Sequence, residues 1–232
     1  MAQMAHYLAQ EGDAPIYQNT SVQYFPSGET YYEELLAQLK QAENFIFLEY
    51  FIVAEGRMWD SVLEILRQKA EEGVEVRFMY DGMCCLLLLP YRYPEKIREM
   101  GIQCKMFAPI RPALSSSQNN RDHRKIVVID GVTAFTGGVN LADEYINQKL
   151  RFGHWKDTGV MIQGDAVQNF TMMFLQMWNI GEKQPESYRP YLTPHILCRK
   201  AAGYVVPFGD CPLDDENVGE HVFLDMLYTA KR

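Results

Sequence analysis

The stretch from His123 to Asn140, HRKIVVIDGVTAFTGGVN, constrains the fold more than any other part of the chain. Val127, Val128 and Ile129 are consecutive β-branched residues, which marks a buried strand. Asp130-Gly131 is a two-residue hairpin signal, and Val132 to Thr136 reads as the return strand. A chain with such a hairpin has to build a sheet around it. Side chains two apart in a strand share a face, so His123 and Lys125 fall together. Asp130 has the opposite parity and lies at the far end of the strand. The return strand stops at Gly137-Gly138, where glycine lets the backbone approach an anion and present its N–H groups. Asn140 then opens a short helical pattern, Leu141 to Tyr145, whose N-terminus favours an anion.

These residue types suit attack on phosphorus. A histidine nucleophile needs a cation beside it to hold phosphate oxygens, and further donors close by. His123 is the candidate nucleophile and Lys125 the candidate phosphate-binding cation. Gly137, Gly138 and Asn140 are the candidate phosphate-binding donors. Lys125 alone is an ordinary solvated charge, and Asn140 is compatible with simple helix capping. Asp130 completes the spacing, but its parity assigns it to turn and scaffold support rather than to proton transfer.

His123, Lys125 and Asp130 form H-x-K-x4-D, followed by G-G-x-N, and this resembles the signature of the phospholipase D superfamily. Six further words resemble the bacterial cardiolipin synthases of that superfamily: FPSGE (25–29), FIFLEYFI (45–52), NNRDHRK (119–125), FTGGVNLADEY (135–145), RFGHWKDT (151–158) and PFGDCPLDDE (207–216). The resemblance runs from about Pro15 to the last residue. It implies a phospholipase D-like sandwich, a central mixed β-sheet flanked by helices, as one half of a two-repeat enzyme. It also implies an acid at the start of the next strand that orients the nucleophilic histidine; Asp157 holds that place. No cofactor and no metal is implied.

Hydrophobic periodicity independently gives an α/β chain. Apolar stripes predict helices over 29–42, 58–70 and 94–100, and a long one over 164–180. The methionines and aromatics of that last segment (Met172, Met173, Phe174, Met177, Trp178) read as core. Strands are expected over 45–53, 74–80, 102–107 and from Thr158 to Ile162. Pro109 to Asn120 reads as a loop. The division expected is a lead-in (1–20), a first catalytic domain (21–184), a linker (185–203) and the start of a second repeat (204–232). The last rests on an internal echo: Val205 to Gly209 echoes Val22 to Gly28, and Gly219-Glu220 with the following apolar residues echoes Gly28-Glu29 and its helix.

The 232 residues carry a formal net charge of -8 and are 47% hydrophobic. Such an acidic balance argues against a dedicated nucleic-acid binder. Arg111, Arg121, Arg124, Lys125, Lys149, Arg151 and Lys156 nevertheless crowd near the motif, as a cationic mouth or as solvated charges. Cys84, Cys85, Cys104, Cys198 and Cys211 lack zinc spacing and read as reduced thiols in a cytosolic setting. No signal peptide or membrane span is recognisable.

The activity that the resemblance implies is phosphatidyl transfer, making cardiolipin from two phosphatidylglycerols through a phosphohistidine intermediate. The full-length protein is then expected at the bacterial cell membrane, with its catalytic part on the cytoplasmic side and this fragment soluble. Its partners are phosphatidylglycerol, other anionic phospholipids, and a second catalytic half or a homodimer partner. The fragment alone is expected to be inactive. The alternatives are a dimeric phospholipase D or phosphodiesterase, and a non-catalytic half-domain that binds anionic lipid or phosphate.

Overall fold

In the computed structural model, described over residues 2–12, 14–109, 121–192, 201–210 and 216–231, the predicted hairpin lies at the centre of a sheet. Its strands are β5 (Lys125–Ile129) and β6 (Thr133–Gly137). Asp130 and Gly131 both have positive φ, 52° and 67°, the left-handed pair that a tight two-residue turn needs. Around them stand β1 (Thr20–Phe25), β2 (Phe45–Tyr50), β3 (Glu75–Asp81), β4 (Gln103–Phe107) and β7 (Gly159–Gly164). The order is β1-β7-β6-β5-β2-β3-β4 in one seven-stranded sheet. β2, β3 and β4 run parallel, and the other neighbouring pairs are antiparallel. The mixed α/β sheet flanked by helices is therefore as expected.

Alternation along the central strands feeds two cores. Val127, Ile129, Leu48 and Tyr50 face α2 (Gly28–Leu39) and α3 (Arg57–Glu71), while Ile126, Val128, Phe45 and Phe47 face α5 (Val167–Trp178). Met173, Phe174 and Trp178 are buried in the second core, as their reading predicts. α4 (Tyr93–Arg98) packs beside β4. Among the described residues no helix is long and apolar enough to cross a membrane.

Several expectations are corrected. The periodicity assigns no element before residue 29, and the structure has two there: α1 (Ala2–Glu11) and β1, which closes one edge of the sheet. β1 was hidden because an edge strand exposes Val22 and Tyr24 to solvent, 56% and 61%, so its pattern lacks buried alternation. The long helix starts at Val167, after Gly164 has ended β7. Residues 141–145 do not form a helix opened by Asn140; a four-residue 3-10 turn spans Asp143–Ile146, capped by Ala142. In the tail, Val205 makes only an isolated bridge with Tyr17, whereas the echoed helix forms as α6 (Val218–Thr229). α6 packs on α1 through Leu8, Ala14, Val218 and Val222. Arg111, Cys198, Cys211, most of the 109–120 loop, and parts of the NNRDHRK and PFGDCPLDDE words lie outside the described residues.

Candidate active site

β2, β3 and β4 end, and β5 begins, at one end of the sheet. Lys125 pairs with Tyr50 and Gly137 with Gly159, which brings the predicted residues to that end. Phe51 forms the floor. The His123 ring meets the Phe51 ring edge-on at 4.5 Å between centroids, and Lys125 Nζ lies 5.0 Å above the same ring. Lys125 Nζ also donates to the His123 backbone carbonyl at 2.6 Å. Asn140 reaches the next residue, its Oδ1 accepting from Ile52 N at 2.9 Å. Thus His123, Lys125 and Asn140 converge on Phe51-Ile52, beside an open cavity of about 250 Å³ lined in part by His123, Lys125, Gly137 and Phe208.

The support for Asn140 is a relay of capping contacts. Asp143 accepts from Arg57 N (3.0 Å) and Met58 N (2.8 Å), capping α3 across the chain and holding the 3-10 turn. Tyr145 of that turn accepts from Asn140 Nδ2 at 2.8 Å. Gly28 lets α2 start against the same turn, since a Cβ there would come within 1.9 Å of the Tyr145 carbonyl oxygen.

Burial and charge tune the pair. Partial burial, then the Lys125 charge, lower the His123 pKa below its ordinary value, against the opposing pull of Asp122. The neutral imidazole that a nucleophile needs is thereby favoured. Lys125 is 4% exposed, and desolvation brings its pKa down to about 8, although Asp122, Asp157 and Cys84 pull the other way.

Asp157 stands elsewhere than expected. Its Oδ1 accepts from Thr158 N at 2.8 Å and its Oδ2 from Trp155 Nε1 at 3.4 Å. Among the described residues no hydrogen bond joins it to His123. The physical reason is Gly138: a Cβ there would lie 2.0 Å from Asp157 Oδ1, so the missing side chain leaves the space into which the carboxylate turns. The Gly138 N–H is donated to Thr158 O at 3.0 Å, so glycine supplies room at this corner rather than a free donor. Gly137, at φ 151°, is equally tight against β7, where a Cβ would meet Thr158 O at 2.5 Å. Asp130 does not join the site. At the opposite end of β5 its carboxylate accepts from Glu43 N, Asn44 N and Phe45 N at 2.8, 2.7 and 2.8 Å.

Two features escape the sequence reading. Glu49, fully buried on β2, stands carboxyl to carboxyl with buried Asp122, and among the described residues no other residue donates to either Glu49 oxygen or to Asp122 Oδ2. Burial and then Asp122 hold Glu49 well above the ordinary carboxylate range, while the Arg124 guanidinium, 4.0 Å away, pulls it down. A charged residue interrupting FIFLEYFI was the available signal. The second is Cys85, whose Sγ accepts from Val53 N at 3.3 Å and contacts the Phe51 carbonyl oxygen at 3.5 Å, tying the 82–92 loop to the site floor. Burial raises the thiol pKa of Cys84 to about 11 and of Cys85 to about 12, so both are protonated. Of the expected cationic mouth, Arg121 reaches Asp81 at 3.4 Å and Arg124 faces Glu49, while Lys149, Arg151 and Lys156 are exposed. Among the described residues no group of three His, Cys, Asp or Glu side chains could hold a metal ion.

Comparison with known proteins agrees with this architecture. An uncharacterized protein of Streptococcus mutans is 54% identical over 98% of this chain and 49% of its own length. A cardiolipin synthase of Alkalihalophilus pseudofirmus is 36% identical over 99% of this chain and 45% of its own. The chain therefore spans about half the length of the curated relatives it matches. The crystal structure of a phosphatidylserine synthase from Haemophilus influenzae superposes with a TM-score of 0.58 at 12% identity, covering 99% of this chain and 58% of that one; at that identity it speaks for the fold alone. Residues 35–178, which hold the hairpin, the floor of the site and Asp157, match the family described as cardiolipin synthase, PLD-like domain, and the chain belongs to that family.

Proposed function

We propose that this chain is the first catalytic half of a phosphatidyltransferase that makes cardiolipin from two phosphatidylglycerols. The observation that carries the reading is the buried Lys125 ammonium beside a His123 imidazole kept neutral, both seated on Phe51. In the first step His123 attacks the phosphorus of one phosphatidylglycerol. A P–N bond forms, the P–O bond to the head-group glycerol breaks, and a protonated histidine of the second half gives its proton to the leaving oxygen. In the second step the hydroxyl of another phosphatidylglycerol attacks phosphorus. Its proton returns to that second histidine, the P–N bond breaks, and cardiolipin leaves with His123 neutral again. A covalent intermediate divides one displacement into two easier ones.

Lys125 and the Asn140 N–H that Tyr145 does not take hold the non-bridging oxygens, as positioning plus charge stabilisation. Bound phosphate restores to Lys125 the charge that burial disfavours. Asp157 acts on Lys125 rather than on the His123 ring, since it raises the Lys125 pKa. One histidine cannot be neutral nucleophile and protonated acid in the same step. The chain alone is therefore expected to be inactive, its partner being a second catalytic half.

The test is turnover of phosphatidylglycerol vesicles by the chain alone and by a chimera carrying the remaining half of the Streptococcus mutans relative. Cardiolipin from the chimera, lost in His123→Ala, supports the reading. Release of phosphatidic acid without cardiolipin makes the enzyme a hydrolase. Robust cardiolipin formation by the chain alone contradicts the need for a second half.

A further inference from the structure

We propose that the loops 82–92 and 147–156 form a docking surface for an anionic phospholipid bilayer and set the site against it. The choice of lipid rests on the phosphatidyl-transfer reading; the surface itself rests on the following observations.

Both loops leave the sheet at the His123 end, one after β3 and one before β7. Both expose large apolar side chains that a water-facing loop does not need: Leu87 94%, Tyr91 93%, Leu86 56%, Leu150 81% and Phe152 81%. Isolated exposed apolar residues are ordinary, but three on one short loop and two on another, both at the same end of the sheet, mark that end for interaction.

Charge decides the occupant. The two loops hold Arg92, Lys149, Arg151 and Lys156 and no Asp or Glu, in a chain of net charge -8. Arg92 and Arg151 stay 66% and 51% exposed although each reaches a glutamate. Leucines and aromatics interleaved with arginine and lysine are what the boundary between head groups and acyl chains accepts. The other exposed apolar face contrasts with this. On α6, Phe223, Met226, Leu227 and Tyr228 alternate with Glu220 and Asp225, without lysine or arginine, which does not fit an anionic surface.

Each loop is rooted in the site. The first is tied by Cys85 to Phe51 and Val53. It overhangs a cavity of about 750 Å³ lined by residues including Tyr80, Leu86, Leu89 and Met106, so its apolar tip has open space beneath it. The second is tied through Trp155 to Asp157, and Trp155 packs on Tyr145, the residue that holds Asn140. Docking thus places a lipid head group next to His123.

The experiment is flotation of the purified chain with vesicles of phosphatidylcholine alone or mixed with phosphatidylglycerol. Binding roughly 10-fold stronger to the anionic vesicles is expected, with a loss of about 10-fold for Leu87→Glu and for Phe152→Glu. Both side chains are solvent-exposed, and an unchanged thermal melt certifies each variant; Leu87→Ser is the second variant if Leu87→Glu melts early. Leu227→Ser, exposed on α6 away from both loops, must float like the native chain. No binding, equal binding to both vesicles, full binding by the Leu87→Glu/Phe152→Glu double variant, or loss with Leu227→Ser each overturns the proposal. Turnover of dispersed short-chain phosphatidylglycerol by the chimera needs no surface, so failure of the catalytic reading shows separately.

Discussion

The two ends of β5 are built on opposite principles. At one end Asp130 accepts three backbone N–H groups within 2.8 Å and fixes the entry of β2. At the other, five residues away, a buried lysine is held at a pKa near 8, and the neighbouring Ile126 pairs with Glu49, a buried carboxyl held well above the ordinary range by burial and Asp122. The same motif supplies both ends. The satisfied end contributes stability; the other end costs stability and, in the proposed mechanism, supplies the cation for phosphate. Unsatisfied buried polar groups concentrate where a protein does chemistry, and this is the end at which the proposed mechanism puts the reaction.

The comparison breaks most easily at His123. In the chimera, His123→Ala is expected to lower cardiolipin formation by about 10⁴-fold or more, with the melting temperature unchanged, because the ring is exposed and makes no hydrogen bond among the described residues. Lys125→Met comes next. Turnover should fall about 10²–10³-fold, as for loss of one charge-stabilising donor. Its stability should hold or rise by on the order of 2 kcal/mol, since an isosteric apolar side chain relieves a desolvated charge. A large loss of stability in Lys125→Met breaks the comparison. Asp130→Ala should do the reverse: a loss of about 3 kcal/mol, roughly 6–10 °C in melting temperature, with near-native turnover per folded molecule. Urea unfolding and turnover measured on the same samples separate the two ends.

The smallest effect is in pH. kcat/KM should rise with pH through a His123 pKa below the ordinary 6.5, because only the neutral ring attacks. It should fall again near pH 8 as free-enzyme Lys125 loses its proton. Stability moves the other way at the basic limb. The folded chain binds fewer protons than the unfolded chain between about 8 and the ordinary lysine pKa near 10.4, so the Lys125 contribution improves across that window. Deprotonation of the second half's histidine gives a basic limb of its own, so a limb that keeps its midpoint near pH 8 in Lys125→Met contradicts the assignment.

Much of this was legible in residues 123–140. The β-branched run and Asp-Gly turn gave the hairpin, and parity placed His123 with Lys125 and sent Asp130 away. What was hidden depends on distant atoms. The turn of Asp157 toward Gly138 is set by the absence of a Cβ, which appears only once β6 and β7 are side by side. The Glu49–Asp122 pair joins positions 73 residues apart (122 − 49), and only the sheet brings them together. The floor role of Phe51 falls just past the end of β2, where strand periodicity no longer says which way a ring points.

The central claim is that His123 forms the covalent bond. Mass spectrometry of the chimera, quenched at alkaline pH after brief exposure to short-chain phosphatidylglycerol and digested, reads it directly. The account predicts a phosphatidyl adduct on the peptide containing His123, absent in His123→Ala. Turnover with the adduct on a histidine of the second half, or with no adduct on any histidine, contradicts it.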